Sequence, residues 1–410
     1  MSEPLVVIGN GMAAARFADE LSRRALGRYA VAVIGAEPRL AYNRVLLSSV
    51  LAGEVPSSDV ELKPSAWWRD RGITLRYGCR ASAIDTEKRN VTLADGESLA
   101  FSRLVFATGS QPIRPAIPGM NLPGVITFRD INDIWAIWHR AGSDDRVVVI
   151  GGGLLGLEAA YGVAKSGARV TLLHLMDRLM ERQLDAHAAR MLQRAVEQKG
   201  IEVILNADTA EIAGHGRVEG VTLKDGRTIE ADAVVVAIGI RPSADLAREA
   251  GIAVKRGIVV DDRLETSVSG VHAIGECAEH RGICYGLVEP AHEQARVLSE
   301  RLAGHDAHYA GSVQATNLKV SGVNVFSAGD FLGRKDTEET ILSDPGLGIY
   351  KKLVIADGRL AGAVLFGDTT DGLWYLDLIR SGADIETMRD DLAFGRAFAE
   401  RPRAPTQLAA

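Results

Sequence analysis

The chain has 410 residues, 47% of them hydrophobic and 24% charged, with a formal net charge of −6. That composition suits roughly two or three folded domains, and without a basic run of about five or six residues it excludes a nucleic-acid partner held by phosphate contacts. No stretch approaches the roughly 18 apolar residues of a membrane helix and no signal-peptide pattern precedes the first strand, so a cytoplasmic protein with no membrane partner is expected.

Pro4-Leu5-Val6-Val7-Ile8 reads as a buried parallel strand and runs into Gly9-Asn10-Gly11-Met12-Ala13-Ala14, a glycine fingerprint that opens a helix. In such a turn the first glycine allows the bend and the second lets the backbone approach a pyrophosphate. The third place, here Ala14, lets helix and strand pack closely. Ala30 to Glu37 forms the next strand and ends in a carboxylate, and Glu37 is placed to accept hydrogen bonds from ribose hydroxyls. Leu104-Val105-Phe106 is a further apolar strand, followed by Ala107-Thr108-Gly109 and a proline-bearing stretch from Gln111 to Gly119.

The pattern then repeats. Arg146 to Ile150 leads into Gly151-Gly152-Gly153-Leu154-Leu155-Gly156, and the matching second strand ends at His174, where the expected acid is absent. Ala233 to Val236 is the closing strand, followed by Ala237-Ile238-Gly239 and the crossing Arg241-Pro242-Ser243. The segment between reads as a second nucleotide domain inserted into the first. After the return, Val271 to Glu276 is a short strand ending at a glycine and an acid. From about residue 315 alternating strands indicate a third, antiparallel domain closed by helices around Leu373 to Arg380, and the tail from about Arg401 is expected to be poorly ordered. The fold class is therefore α/β: two Rossmann-like units plus a C-terminal α+β domain. The expected spans are 1–112 with 243–314, 113–242, and 315–410.

Cys79, Cys277 and Cys284 form neither a Cys-x-x-Cys pair nor a zinc-ligand spacing, so structural disulfides and metal sites are not expected and the thiols read as inert. Two dinucleotide cradles on one chain point to electrons passing between nucleotides, chemistry that needs neither triad nor metal. The candidates for a direct role are Glu158, after Gly156, and His292. His174, His187, His272 and His280 read as surface or packing residues.

Taken in order, the first fingerprint, Leu40 to Ser49, Ala107-Thr108-Gly109, the second fingerprint with Glu158, Leu179 to Asp185, Gly275-Glu276-Cys277, Gly286 to Val288, and Leu318 to Val323 with Ser327 to Asp330 resemble the two-dinucleotide flavoprotein reductases. The chain looks most similar to the FAD-containing part of NAD(P)H nitrite reductase large subunits and to rubredoxin and ferredoxin reductases. The resemblance implies FAD at Gly9, Gly11, Met12, Ala13, Ala14 and Glu37, and NAD(P)H at Gly151, Gly153, Leu154, Leu155, Gly156, Glu158, His174, Arg182 and Gly239. It also implies that Arg44 and Ser48 lie beside the flavin's pyrophosphate and ring, that Ala107, Thr108 and Gly109 line the adenosine side, and that Glu276, after Gly275, meets the ribityl chain. A helix starting in the segment Pro290 to Gln294, which contains Glu293, is expected to aim at the flavin.

Ser49, where ferredoxin-reductase relatives carry lysine, and the lack of cysteine in residues 40–55 set this chain apart from those relatives and from the disulfide reductases. Ending at 410, the chain is expected to lack the iron–sulfur and sirohaem regions that reduce nitrite. The implied function is an NAD(P)H reductase that passes electrons through FAD to a separate protein of nitrate or nitrite assimilation. The alternatives are a rubredoxin or ferredoxin reductase serving an oxygenase and, from another class, a flavin-binding sensor. A monomer or homodimer fits either. Arg178 and Arg182 are placed to pair with a 2′-phosphate, whereas analogy with the family leans to NADH.

Overall fold

The computed structural model describes residues 2–320 and 322–401. Ser321, part of the C-terminal resemblance, and the tail from residue 402 lie outside the described residues. Two compact units form: Met1–Pro115 with Thr127–Ala136 and Ile238–Ser312, and Ala116–Ile126 with Ile137–Ala237 and Val313–Ala410. Within the expected 113–242 span, Thr127–Ala136 thus clusters with the first unit, and the C-terminal sheet clusters with the second nucleotide unit.

The first unit is built on a five-stranded parallel sheet ordered Val271–Ala273, Arg103–Phe106, Glu3–Ile8, Tyr29–Gly35, Thr74–Tyr77. Its central strand is apolar on both faces because both faces are covered: Leu5 and Val7 on one face and Val6 and Ile8 on the other are buried, as are Leu104, Val105 and Phe106 of its neighbour. The helix Met12–Arg24 buries Ala14, Ala15, Phe17, Ala18 and Leu21 and packs along the helix Val288–Leu302. Beside the sheet lies a three-stranded antiparallel meander, Ala81–Asp85, Asn90–Leu93, Ser98–Ala100.

The second unit repeats this plan. Its sheet is ordered Glu202–Ile204, Arg169–Leu173, Arg146–Ile150, Ala233–Val236, Val125–Thr127, the first four strands parallel, with a meander of Thr209–Ala213, Gly220–Leu223 and Thr228–Glu230. The ladders match: Ile8 pairs with Ile34 and Phe106, as Ile150 pairs with Leu173 and Val236. Ile34 is thus the counterpart of Leu173, His174 of Gly35, and Met176 of Glu37. The two proline-bearing crossings contain Ser110–Pro112 and Ile240–Pro242, which pair with each other as an antiparallel ribbon.

The C-terminal sheet is antiparallel, ordered Ala315–Val320, Val323–Gly329, Arg359–Phe366, Ile349–Ala356, Glu338–Asp344, and the helix Gly372–Ser381 covers one face around Phe326, Leu353, Leu365 and Tyr375. It joins the second nucleotide unit because the helix Leu154–Lys165 packs on the strand Ala315–Val320 and the Tyr350 hydroxyl donates to Asp185 at 2.6 Å. Among the described residues no helix is long and apolar enough to cross a membrane.

Candidate functional site

Each fingerprint forms the turn its glycines require. Gly9 has φ +116°, and a Cβ there would stand 2.1 Å from the Ala107 carbonyl oxygen, so only glycine fits between the strands Glu3–Ile8 and Arg103–Phe106. Gly11 is different: nothing lies within 4 Å of where its Cβ would be. It opens the helix of Met12, Ala13 and Ala14 with no side-chain cap and no acid in the first turn. Gly153 repeats this arrangement, with open space at its Cβ position and an uncapped helix beginning Leu154-Leu155. Gly151 has φ +123°, and a Cβ on Gly156 would stand 1.8 Å from the Gly151 oxygen, so this third glycine brings helix against strand. Both helix ends thus offer unpaired N–H groups and the positive pole of the macrodipole to an anion that the backbone can approach, which fits a pyrophosphate in each unit.

In the first unit a chain of charged groups extends from that turn. Glu37 accepts from the Tyr42 hydroxyl at 2.8 Å and forms an ion pair with Arg44, whose guanidinium lies over the Tyr42 ring. Burial pushes the Tyr42 phenol well above its ordinary value. Arg44 also donates to the Arg129 carbonyl at 3.0 Å, and the Arg129 side chain pairs with Glu276, which accepts from the Ser110 hydroxyl at 2.8 Å. Gly109, at φ +66°, passes Glu276 closely: a Cβ there would lie 3.9 Å from its Oε2. Thr108 donates to the Ser243 carbonyl at 2.6 Å, and Ala107 is buried at the Gly9 contact. Ser48, in the helix Leu47–Leu51, turns its hydroxyl to the Val45 carbonyl.

Gly275 joins three elements. Its N–H donates to the buried Gln294 at 2.7 Å, and its Cβ position lies 3.0 Å from the Ala13 methyl and 3.8 Å from that of Ala291. The helix expected from Pro290 begins two residues earlier, at Val288, so Pro290 falls in its first turn, where the missing N–H breaks no helical bond. Glu293 accepts from the Ser312 hydroxyl. His292 is half-buried, and burial, then the Arg16 guanidinium, lowers its pKa, so the ring is neutral near pH 7. Its charged neighbours Arg16 and Glu20 belong to the helix Met12–Arg24, against which its own helix packs.

Arg129 was not among the residues the motifs point to. It is set by Asp133, which accepts from the Arg129 N–H at 2.7 Å and from the Thr127 hydroxyl at 3.1 Å. Burial, then the Asp130 charge, pushes the Asp133 carboxyl up to about 6. The Arg129 Nε is buried with no partner, as is Asn10 Oδ1 in the fingerprint, so both are free for a polar ligand. The available signal was Asp130 and Asp133 at helix-capping spacing just after a lone arginine.

In the second unit His174 turns inward: its Nδ1 accepts from the Gly152 N–H at 3.0 Å and its Nε2 meets Glu181 at 3.1 Å. Glu158 is half-buried on the helix Leu154–Lys165, whereas Arg182 is 86% exposed and Arg178 pairs with its neighbour Asp177. Gly239 stands apart from this group, in the first unit, where its carbonyl accepts from Ile113 N–H. His272 and His280 are buried packing residues, and His187 stacks on Tyr350. The Cys277 thiol is buried, donates to the Ile274 carbonyl at 3.3 Å, and is pushed up by burial, which leaves it a poor nucleophile.

Residues 3–296 match the family of pyridine nucleotide-disulphide oxidoreductases, and residues 315–383 match the rubredoxin NAD+ reductase C-terminal domain. The chain is 45% identical to a nitrite reductase [NAD(P)H] of Bacillus subtilis (strain 168), over 93% of this chain and 48% of that protein. It is 39% identical to the assimilatory nitrate reductase electron transfer subunit of the same organism, over 98% of this chain and 53% of that protein. The chain thus spans about half the length of these relatives. Among solved structures it is similar to a ferredoxin reductase for the CYP199A2 system from Rhodopseudomonas palustris, with TM-score 0.85, 27% identity, and coverage of 96% of this chain and 100% of that one.

Proposed function

This chain belongs to the pyridine nucleotide-disulphide oxidoreductase family and is an NAD(P)H-dependent flavoprotein oxidoreductase, and from that premise we propose that it passes electrons from NAD(P)H through FAD to a separate redox protein of nitrate or nitrite assimilation. The observation that carries the reading is the pair of uncapped, glycine-opened helix ends, one in each unit. The acceptor class draws on the relatives named for nitrite reduction and nitrate-reductase electron transfer. A cytoplasmic site of action, where nicotinamide coenzymes are supplied, belongs to the same reading.

FAD, when bound, supplies a centre that takes a hydride from nicotinamide and gives up electrons singly. The chain's own residues bind and orient. In this reading the first-turn N–H groups of Met12, Ala13 and Ala14, with Arg44 and Arg129, hold the anionic pyrophosphate. Glu37 takes the ribose hydroxyls, while Glu276, fixed by Arg129 and Ser110, holds the polar chain that leads to the ring. The first-turn N–H groups of the helix Leu154–Lys165 hold the coenzyme's pyrophosphate, and Glu158 stands at the entrance to that cradle. No cysteine is required: Cys277, beside Glu276, is shielded.

A second reading, a reductase of rubredoxin or ferredoxin, draws on the match of residues 315–383 to the rubredoxin reductase C-terminal domain. Purified yellow protein mixed with coenzyme without oxygen should lose its flavin absorbance within the mixing time of a rapid-flow instrument, and should then reduce a nitrate- or nitrite-reductase component faster than rubredoxin or ferredoxin. The opposite order of rates supports the second reading, and flavin that neither coenzyme bleaches contradicts both. Flavin that is bleached but delivers no electrons to dye or protein points to a sensor.

A further inference from the structure

The loop that follows the strand Arg169–Leu173 is tied back onto the second fingerprint. Met180 N–H donates to the Gly152 carbonyl at 3.0 Å, and a Cβ on Gly152 would stand 2.6 Å from both His174 Cγ and Leu179 Cδ2. His174 therefore lies tight under the turn. Its Nδ1 accepts the Gly152 N–H, so the ring proton sits on Nε2 and donates to Glu181 Oε2 at 3.1 Å. At its far end the loop is held by Asp185, which caps the helix Ala186–Glu197 through Ala188 N–H and accepts from the buried Tyr350.

A dinucleotide turn ordinarily places an acid at the end of its second strand, where the carboxylate accepts from the adenosine ribose hydroxyls and repels a 2′-phosphate. Here that place holds His174, which is engaged with Gly152, and the ladder counterpart of Glu37 is Met176, which is apolar and 45% exposed. Glu181 is the carboxylate fixed to this turn through a side chain of the strand end. Its Oε1 lies 4.0 Å from the Arg182 Nε, at ion-pair but not hydrogen-bond distance, so one oxygen is held by His174 while the other is not hydrogen-bonded to Arg182, and the side chain is 25% exposed. Of the nearby cations, Arg178 pairs with Asp177 through Nη1 while its Nε is buried without a partner, and Arg182, 86% exposed, stands 4.0 Å from Glu181, so the carboxylate and these guanidiniums compete to set the coenzyme preference.

We propose that Glu181, positioned by His174, is the residue that reads the adenosine ribose and makes this chain select NADH over NADPH. The inference rests on the reading of the second fingerprint as the coenzyme site. A hydrogen bond to a fixed carboxylate, together with its repulsion of a 2′-phosphate, corresponds to a preference of roughly tenfold or more.

The test is calorimetric titration of the FAD-loaded protein with ADP-ribose and with its 2′-phosphorylated form, alongside kcat/KM for NADH and NADPH. Wild-type protein should bind ADP-ribose at least about tenfold more tightly. Glu181→Gln should bring the two affinities together, and Glu181→Lys should reverse their order. His174→Asn, which keeps an acceptor for the Gly152 N–H but does not reach Glu181, should also lower the ratio while the flavin spectrum stays unchanged. A ratio that Glu181→Gln and Glu181→Lys both leave within about twofold of wild type overturns the assignment, as does wild-type preference for the phosphorylated ligand. If neither ligand binds wild-type protein, the reading of the second fingerprint fails, and this proposal fails with it.

Discussion

Gly9 and Gly11 stand two residues apart in one turn, yet the structure assigns them different work, and a pair of alanine substitutions separates the two. In Gly9→Ala the new methyl would stand 2.1 Å from the Ala107 oxygen and 2.5 Å from its carbonyl carbon, at a backbone φ of +116°. Relief requires the strands Glu3–Ile8 and Arg103–Phe106 to part by about 1 Å, against the bond from Ala107 N–H to the Ile8 carbonyl. Backbone strain of about 1–3 kcal/mol and overpacking of similar size together predict a loss of about 2–6 kcal/mol. Gly11→Ala meets nothing within 4 Å, and its φ of −108° suits alanine, so flavin-free protein should lose no more than the roughly 1 kcal/mol by which alanine is disfavoured at a helix N-cap. Its methyl instead occupies the space through which a pyrophosphate approaches, so FAD affinity should fall by at least about tenfold. Denaturant midpoints of the flavin-free proteins and flavin titration would test both. Wild-type flavin affinity in Gly11→Ala, or wild-type stability in Gly9→Ala, would refute the division of roles.

Arg129→Ala removes the partner of Glu276 and one cation from the proposed flavin cradle, so FAD retention through gel filtration should fall, with Arg129→Lys intermediate because a point charge replaces a planar fork. Asp133 predicts a pH dependence. Its folded value of about 6 lies above the ordinary 3.8, so the group favours folding fully below about pH 4, and that contribution is lost as pH rises through 6. The loss is about 3 kcal/mol, and Asp133→Asn should flatten the denaturation profile of the flavin-free protein between pH 4 and 7. An unchanged profile would show that Asp133 is not raised. Tyr350→Phe deletes the bond to Asp185 while Ala188 N–H stays capped, which should cost about 1 kcal/mol in a thermal melt and should lower the selectivity for ADP-ribose less than Glu181→Gln does.

Local grammar made much of the architecture readable. Apolar runs flanking Gly9 and Gly151 need no distant partner to be recognised, because a strand buried on both faces and a glycine-opened turn carry their signals within about ten residues. The duplication was readable for the same reason, whereas the pairing of the two proline-bearing segments with each other was not. Two strands of the C-terminal sheet were not. Glu338–Asp344 is a charged, largely exposed edge strand whose alternation is carried by residues such as Thr340 and Leu342, and Val323–Gly329 hides its period behind Asn324, Ser327 and Gly329.

By itself the sequence determined the two glycine-opened turns, their order and the residues that form them, because those depend on covalent geometry and nearest neighbours along the chain. The tertiary structure decided which side chains meet there. Arg129 reaches Glu276 because a ten-residue segment, Thr127–Ala136, enters the first unit from the middle of a stretch that otherwise builds the second. His174 is held under the turn and meets Glu181 because the loop folds back onto Gly152. Contacts of that kind arise from long-range packing, in which one residue's role is set by partners far away in the chain and by the space they leave.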